Sequence, residues 1–466
     1  MKRGELIECD VESLAFGGDG IARVDGMAVF VECGLPGQRV RARLKLVKKR
    51  FAKAVVESVL EQTPHYVEPR CLHFGQCGGC SWQNLSYSEQ LAWKSRQVAD
   101  ALVRIGGMTT EMLEPLPSPS LFGYRNKMEF AFAGGRGERA DDGLQVGLHG
   151  RAEQGRKGLT AVLDIEECHL CSELTISTLH EVRRMCRETG IAAYDPATGQ
   201  GYWRHLIIRH TGAGRVLVHL ITADDTSLHG RVVPLAKALR ATFPAIDSVV
   251  HSSRRSRRTL AFGERVHHVE GAQYVEENLM RSKEPVRYRV SANSFFQTNT
   301  AGASALYGAV LEMGTFSPEQ TVLDLYCGAG GIGLFLAHAV KRVVGFELSP
   351  EAVRDAETNA RLNGFRNCEF HAGSLEKGVG DLEHLPRPDV VVCDPPRSGM
   401  HQPVVDALLR LRPESIMAVS CDPATLARDC GRLSSVYELT CARAVDLFPH
   451  TPHVETIALL KRNDLA

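Results

Sequence analysis

The last third of the chain constrains the fold most, because five short apolar runs alternate there with helical stretches. The runs are TVLDLY, RVVGFEL, CEFHAGS, DVVVCDP and SIMAVSC. One intervening stretch, SPEAVRDAETNARLNG, has a serine cap, a proline in the first turn and a closing glycine, which are typical of a helix. Apolar strands alternating with helices indicate a buried parallel sheet. We predict a doubly wound α/β domain over residues 285–466.

The carboxyl ends of these strands are the expected ligand-binding edge, as in other open α/β sheets. Polar or reactive side chains lie at or just beyond four of the ends: Tyr326, Glu347, Asp394 and Cys421. This placement separates Cys421 from the buried, inert cysteines that are common in intracellular proteins.

The glycine-rich segment YCGAGGIG follows the first strand and precedes a helix. With Glu347 ending the next strand, the pattern fits a nicotinamide dinucleotide site as well as an S-adenosylmethionine site. Two features favour methyl transfer over an NAD-linked oxidoreductase. CDPPRSG ends the fourth strand in Asp394 and a rigid Pro-Pro turn, and hydride transfer has no use for the thiol of Cys421.

A thiol at this edge suits methylation of uracil at C5, a carbon too weakly nucleophilic to take a methyl group unaided. Addition of a thiolate to C6 activates C5, and a base must later remove the C5 proton. Cys421 is the candidate nucleophile, and we expect the helix beginning near DPATLARD to promote its ionisation. Glu455 is the candidate base, with His450 and His453 as alternatives.

The first 63 residues predict a small OB-like β-barrel, since short β-rich runs alternate with glycine turns. In RVRARLKL, cations at Arg39, Arg41, Arg43 and Lys45 alternate with apolar residues, so they share one strand face. More cations follow up to Lys53 without an intervening acid. We expect a phosphate-binding face here rather than an ordinary solvated one.

Residues 64–88 and 122–284 predict a central α+β domain of mainly antiparallel strands, and 89–121 contain an amphipathic helix that ends at a glycine pair. Cys71, Cys77 and Cys80 lie in CLHFGQCGGC and need a fourth ligand, which EECHLC offers as Cys168 or Cys171. Spacing alone permits a zinc ribbon from the two C-x2-C pairs, which leaves Cys71 unused.

Four motifs in order, LDLYCGAGGIG, CDPPRSG, SCDPATLARD and PHTPHVET, resemble the RNA uracil-5 methyltransferase family. The barrel resembles a TRAM domain, and the cysteine segment resembles the iron–sulfur segment of the ribosomal RNA branch.

The resemblance implies Cys421 as nucleophile and Glu455 as base, and it implies that the 89–121 helix packs on the catalytic domain. It also implies S-adenosylmethionine or substrate contacts by Gln297, Tyr326, Gly328, Gly331, Glu347, Ser374 and Asp394, although Gly331 has no side chain to offer. For the metal it implies a [4Fe–4S] cluster on Cys71, Cys77, Cys80 and Cys168.

The charge balance is neutral, with 55 basic and 55 acidic residues, so an RNA partner must be bound by local patches such as the barrel and Arg254–Arg258.

No apolar run is long enough for a signal peptide or a membrane span, and we expect a cytoplasmic protein without membrane or DNA partners. The resemblance implies 23S ribosomal RNA as substrate, with tRNA as the alternative. A self-contained multidomain catalyst of this kind is expected to be a monomer.

Overall fold

The computed structural model describes residues 1–134, 143–151, 161–282, 284–375 and 387–463. The strands are β1 Leu6–Leu14, β2 Gly20–Val24, β3 Met27–Glu32, β4 Arg39–Val47, β5 Phe51–Glu61, β6 Glu111–Leu116, β7 Lys127–Ala133, β8 Gln145–His149, β9 Val162–Asp164, β10 Trp203–His210, β11 Val216–Ala223, β12 Ile246–Arg254, β13 Arg265–Gly271, β14 Tyr274–Arg281, β15 Glu284–Ser291, β16 Thr321–Leu325, β17 Arg342–Glu347, β18 Cys368–Ala372, β19 Val390–Cys393, β20 Ser415–Ser420, β21 Tyr437–Val445 and β22 Glu455–Arg462. The helices are α1 Tyr87–Arg104, α2 Glu173–Glu188, α3 Val232–Thr242, α4 Thr300–Gly314, α5 Gly331–Leu336, α6 Pro350–Leu362, α7 Gln402–Leu411 and α8 Pro423–Leu433. None of the helices in these ranges has the length and apolar character needed to cross a membrane.

The C-terminal sheet has eight strands in the order β18-β17-β16-β19-β20-β22-β21-β6. All five predicted strands form and pair in parallel, which confirms the doubly wound fold. The predicted helix α6 has its cap at Ser349, whose side chain accepts a hydrogen bond from the Ala352 amide. The strand order reverses between β16 and β19, and a crevice for ligands opens at such a switch point.

A segment far upstream completes this sheet. Strand β6 pairs in parallel with β21, and α1 packs against α8. Val98 and Leu102 of α1 share a hydrophobic core with Leu426 and Ala427 of α8. The amphipathic face of α1 is therefore buried on the C-terminal domain, with the central domain inserted between them in sequence.

The barrel closes in the order β1-β2-β3-β5-β4, as an OB-like fold requires. The predicted alternation along β4 is confirmed, because Val40, Ala42 and Leu44 lie in the barrel core and the arginines between them are exposed.

The four alternating cations of β4 are nevertheless ion-paired, which corrects the expectation of an uninterrupted phosphate-binding face. Their acidic partners come from other strands: Glu8 faces Arg39 and Arg41, Glu57 faces Arg43, and Glu32 faces Lys45. In the described parts of the chain, the exposed cations Lys48, Lys49 and Arg50 in the β4–β5 turn have no acidic partner within ion-pair distance. The positive patch of the barrel is this turn.

The central sheet has seven strands in the order β13-β12-β11-β10-β7-β8-β9. Its pairs are antiparallel, as predicted, except that β11 and β12 run parallel with α3 as the crossover between them. The hairpin β14–β15 then leads to the C-terminal domain, and the expected boundary at residue 284/285 lies within it, at the first residues of β15.

Candidate active site

Cys421 lies between the end of β20 and the start of α8, half-buried. Burial raises the pKa of its thiol to about 11, and the charges of Glu455 and Asp394 act in the same direction. The expected help from the helix is weak, because the carboxylate of Asp422 already caps α8 by accepting hydrogen bonds from the amides of Ala424 and Thr425 at 2.9 and 3.1 Å. The free protein therefore keeps this thiol protonated near neutral pH.

The sheet register brings Glu455 to Cys421. Ser420, the last residue of β20, pairs with Thr456 of β22 in an antiparallel ladder, so Cys421, which follows β20, lies close to Glu455 at the start of β22. The Glu455 side chain is buried, and desolvation together with the charge of Asp394 raises its pKa well above the usual value. A raised pKa makes the carboxylate a stronger base once it is ionised.

A small cavity lies at the switch point beside these residues. Among the residues lining it are five of the predicted contacts: Gln297, Tyr326, Gly328, Gly331 and Asp394. Burial raises the pKa of the Asp394 carboxyl above its ordinary value. Cys421 and Glu455 are not among the lining residues, and Asp394 is the link to them, since its charge raises the pKa of both groups.

The backbone of the glycine segment is shaped for this cavity. Tyr326 has a φ of 64°, an uncommon value for a residue with a side chain, and Gly330 has a φ of 84°. Glu347 holds the turn, since its carboxylate accepts hydrogen bonds from the amides of Gly328 at 3.1 Å and Ser349 at 2.9 Å. Each carboxylate oxygen keeps a lone pair for a further donor.

Gly331 is packed too tightly to carry a side chain. A Cβ there would lie 2.8 Å from the Tyr307 hydroxyl, and the Gly331 carbonyl already accepts a hydrogen bond from Tyr288 at 2.8 Å. Ser374 follows β18 and is not among the residues lining the cavity.

Arg397 is a site residue that our sequence analysis did not identify as such. Its charge lowers the pKa of both Cys421 and Glu455, against the effect of burial. A cation directly after the Pro-Pro turn was the available signal, because that turn ends the strand carrying Asp394.

The two alternative bases are placed differently from Glu455. The His450 ring is buried, stacks on Phe122 at 4.4 Å and lies 3.3 Å from the Gln90 amide nitrogen, which ties it to the packing of α1. Burial lowers the pKa of His453 to about 4, so its ring is neutral near pH 7.

The predicted cluster cysteines Cys71, Cys77, Cys80 and Cys168 line one cavity of about 250 Å³. Cys171 is buried outside its lining, with its thiol directed at the Cys168 carbonyl at 3.6 Å. Sulfur ligands of a single zinc ion stand about 3.8 Å apart. Among the described residues, no three of these sulfur atoms come within 4.8 Å of one another. Four thiols lining one cavity are a donor set suited to a thiolate-bound metal centre.

The Arg254–Arg258 segment differs from the expected basic patch. Arg254 is only 6% exposed, lies 3.6 Å from Glu264 and donates to the Phe262 carbonyl. Arg255 is paired with Asp224 at 2.5 Å. Only Arg257 and Arg258 remain as exposed cations without an ion-pair partner in the described ranges, because the acids of neighbouring strands take up the other two.

Comparison with known proteins agrees with this arrangement. The family described as tRNA (Uracil-5-)-methyltransferase matches residues 259–463, and the TRAM domain matches residues 1–56. An RNA methyltransferase of Nitratidesulfovibrio vulgaris is 41% identical, with 99% of this chain and 97% of that protein covered. One from Halalkalibacterium halodurans is 35% identical, with 99% and 98% covered.

One solved structure is similar over almost the whole length. It is the Pyrococcus abyssi tRNA (uracil-54, C5)-methyltransferase in complex with S-adenosyl-L-homocysteine, with a TM-score of 0.74 and 27% identity, covering 97% of this chain and 100% of that one. These matches decide for methyl transfer over the oxidoreductase alternative. The chain belongs to the S-adenosylmethionine-dependent RNA (uracil-5-)-methyltransferase family and carries a TRAM domain at its N-terminus.

Proposed function

We propose that this enzyme methylates uracil C5 through a covalent enzyme–RNA intermediate, with Cys421 as nucleophile and Glu455 as base. The observation that supports the proposal is the pairing of Ser420 with Thr456, which brings the adjacent residues Cys421 and Glu455 close enough for the charge of Glu455 to raise the pKa of the thiol. The target base must leave its stack to reach them, as in other enzymes that act on a nucleobase.

In the proposed reaction the Cys421 thiolate adds to C6, and the electrons of the C5–C6 double bond move onto C5. When bound, S-adenosylmethionine would supply an electrophilic methyl group, which C5 would take with its electron pair while S-adenosylhomocysteine leaves. Glu455 then takes the C5 proton, the double bond re-forms and the sulfur–carbon bond breaks, returning the thiolate. For the cofactor we propose Gln297, Tyr326, Gly328, Gly331, Glu347, Ser374 and Asp394 as binding residues, with Gly331 acting through its backbone.

The test of this mechanism uses three variants and a uridine-containing substrate RNA. Cys421→Ala is expected to bind RNA without methylating it. Glu455→Gln is expected to add and methylate but to release slowly, leaving an adduct that is visible on a denaturing gel. Glu438→Gln, an exposed glutamate on β21, is the matched control and should turn over normally. Turnover by Cys421→Ala would refute the assignment.

We further propose that Cys71, Cys77, Cys80 and Cys168 hold a [4Fe–4S] cluster. Amides that point at two of the sulfurs support this, since Gly79 donates to Cys77 at 3.4 Å and Gln83 donates to Cys80 at 3.3 Å. The methyl transfer requires no electron, so the cluster serves structure or RNA contact. Anaerobically purified protein should be brown and contain iron and sulfide; zinc in their place would contradict the assignment.

The proposed substrate is 23S ribosomal RNA, supported by the combination of a TRAM domain with four cysteines around one cavity. A tRNA is the second candidate, favoured by the tRNA substrate of the similar Pyrococcus abyssi enzyme. We place the enzyme in the cytoplasm as a monomer. Mapping 5-methyluridine by mass spectrometry in both RNAs of a deletion strain distinguishes the candidates, because only the true substrate loses the modification.

A further inference from the structure

The central sheet gathers a second group of metal-ligating side chains, outside both the methyl-transfer site and the cysteine cavity. Asp224 follows β11, His229 begins a short 3-10 turn at His229–Arg231, and His267 lies on β13. One ligand atom from each lies within 4.8 Å of the other two. The three side chains are only 10 to 13% exposed.

The distances are close to those of a coordinated ion. Oδ1 of Asp224 lies 3.9 Å from Nε2 of His229 and 3.7 Å from Nε2 of His267. Nitrogen and oxygen ligands at tetrahedral zinc stand about 3.3 Å apart, so each gap closes with a shift of about half an ångström. The imidazole rings of His229 and His267 lie 3.8 Å apart between centroids, so rotation of both side chains would be needed to direct the three ligand atoms at one ion.

Hydrogen bonds order the Asp224 and His267 side chains, whereas Nε2 of His229 has no hydrogen bond in the described residues. Arg255 holds Oδ2 of Asp224 at 2.5 Å, which orients the carboxylate and leaves Oδ1 directed at the histidines. The Ser253 hydroxyl donates to Oδ1 at 2.9 Å and therefore accepts from Nε2 of His267 at 2.7 Å, a proton that a bound metal ion would displace. Nε2 of His229 is buried and makes no hydrogen bond within the described part of the chain. A buried imidazole nitrogen without a partner points to a ligand.

We propose that Asp224, His229 and His267 bind one divalent transition-metal ion of the zinc class. Two neutral imidazoles and one carboxylate suit Zn²⁺, whereas Mg²⁺ and Ca²⁺ prefer oxygen ligands alone. The fourth position is open to the Ser253 hydroxyl or to water. Because Arg255 grips the same carboxylate, the ion anchors the start of the exposed Arg257–Arg258 segment.

The test measures zinc bound to the full-length, anaerobically purified protein after dialysis against Zn²⁺ and then against metal-free buffer. The double variant with His229→Gln and His267→Gln is compared with His268→Gln, a control on the same strand whose imidazole faces Glu270 at 3.3 Å. We expect the double variant to hold one zinc equivalent per chain less than the wild type and the control to match the wild type. Any zinc bound by the cysteines is present in all three proteins and does not affect the difference in zinc content between them.

Equal zinc content in folded wild type and double variant would overturn the proposal. If circular dichroism shows that the double variant does not fold, anomalous scattering at the zinc edge from wild-type crystals decides instead. A peak between Asp224 and the two histidines supports the site, and no peak there overturns it.

Discussion

The positive charge of Arg397 acts on the thiol of Cys421 and lowers its pKa, against the opposing effects of burial, Glu455 and Asp394. The thiol pKa still lies at about 11, so the thiolate population of the free enzyme rises with pH throughout the neutral and alkaline range. Arg397 thus increases the fraction of Cys421 that is ionised, although burial remains the largest influence on its pKa.

Replacing this charge should slow the chemistry of the thiol. In Arg397→Met the pKa of Cys421 rises further, and each unit of that rise leaves about tenfold less thiolate at a given pH below 11. We expect slower iodoacetamide modification of the Cys421 peptide, followed by mass spectrometry across a pH series. Arg397→Lys keeps the charge and should stay close to wild type. If the modification rate of Cys421 depended on pH in the same way in Arg397→Met and Arg397→Lys, this charge would not act on the thiol.

The close approach of the Tyr307 hydroxyl to Gly331 should make substitution of the glycine destabilising. Gly331→Ala brings a methyl group to 2.8 Å from the Tyr307 hydroxyl, an overpacking that costs about 1–3 kcal/mol. We expect weaker S-adenosylmethionine binding and a lower melting temperature, measured by calorimetry. Tyr307→Phe removes the clashing oxygen. In the Tyr307→Phe background, Gly331→Ala should therefore lower affinity and melting temperature less than it does in the wild type. No recovery would mean that the hydroxyl is not the obstacle.

The buried ion pair between Lys94 of α1 and Asp446 should hold the upstream helix to the catalytic domain. Their atoms are 2.6 Å apart and both side chains are fully buried. Lys94→Met leaves the carboxylate unpaired and should cost about 3–5 kcal/mol, seen as a lower urea midpoint. Adding Asp446→Asn removes the stranded charge and should restore part of the midpoint. Lys461→Met, on the exposed face of β22, is the control and should change little.

The β4–β5 turn should carry the electrostatic contact of the barrel with RNA. Replacing Lys48, Lys49 and Arg50 together by Gln should weaken RNA binding. The slope of log K against log salt concentration should become less negative by about 0.7 for each phosphate contact that is lost. The control Arg41→Gln removes a cation that already faces Glu8 at 2.8 Å, and it should change the slope much less. If Arg41→Gln changed the salt dependence of RNA binding more than the triple variant does, the RNA contact would lie on β4 and not in the turn.

Much of the fold follows from local pattern. The five parallel strands, the cap of α6 at Ser349 and the alternation along β4 depend on neighbours a few residues apart, which are visible in the sequence. The edge position of Cys421 follows from the same reasoning, because a strand that ends in a polar residue places that residue at the rim of the sheet.

Which charges meet depends on how the strands pair in the folded chain. Arg41 is neutralised by Glu8 on another strand, and Arg255 by Asp224 after β11. The attachment of β6 to β21 and the group formed by Asp224, His229 and His267 also depend on long-range contacts. Sheet pairing brings together residues that are remote along the chain, and electrostatic energy depends on distance in space, so a run of cations in the sequence does not by itself make a positive surface.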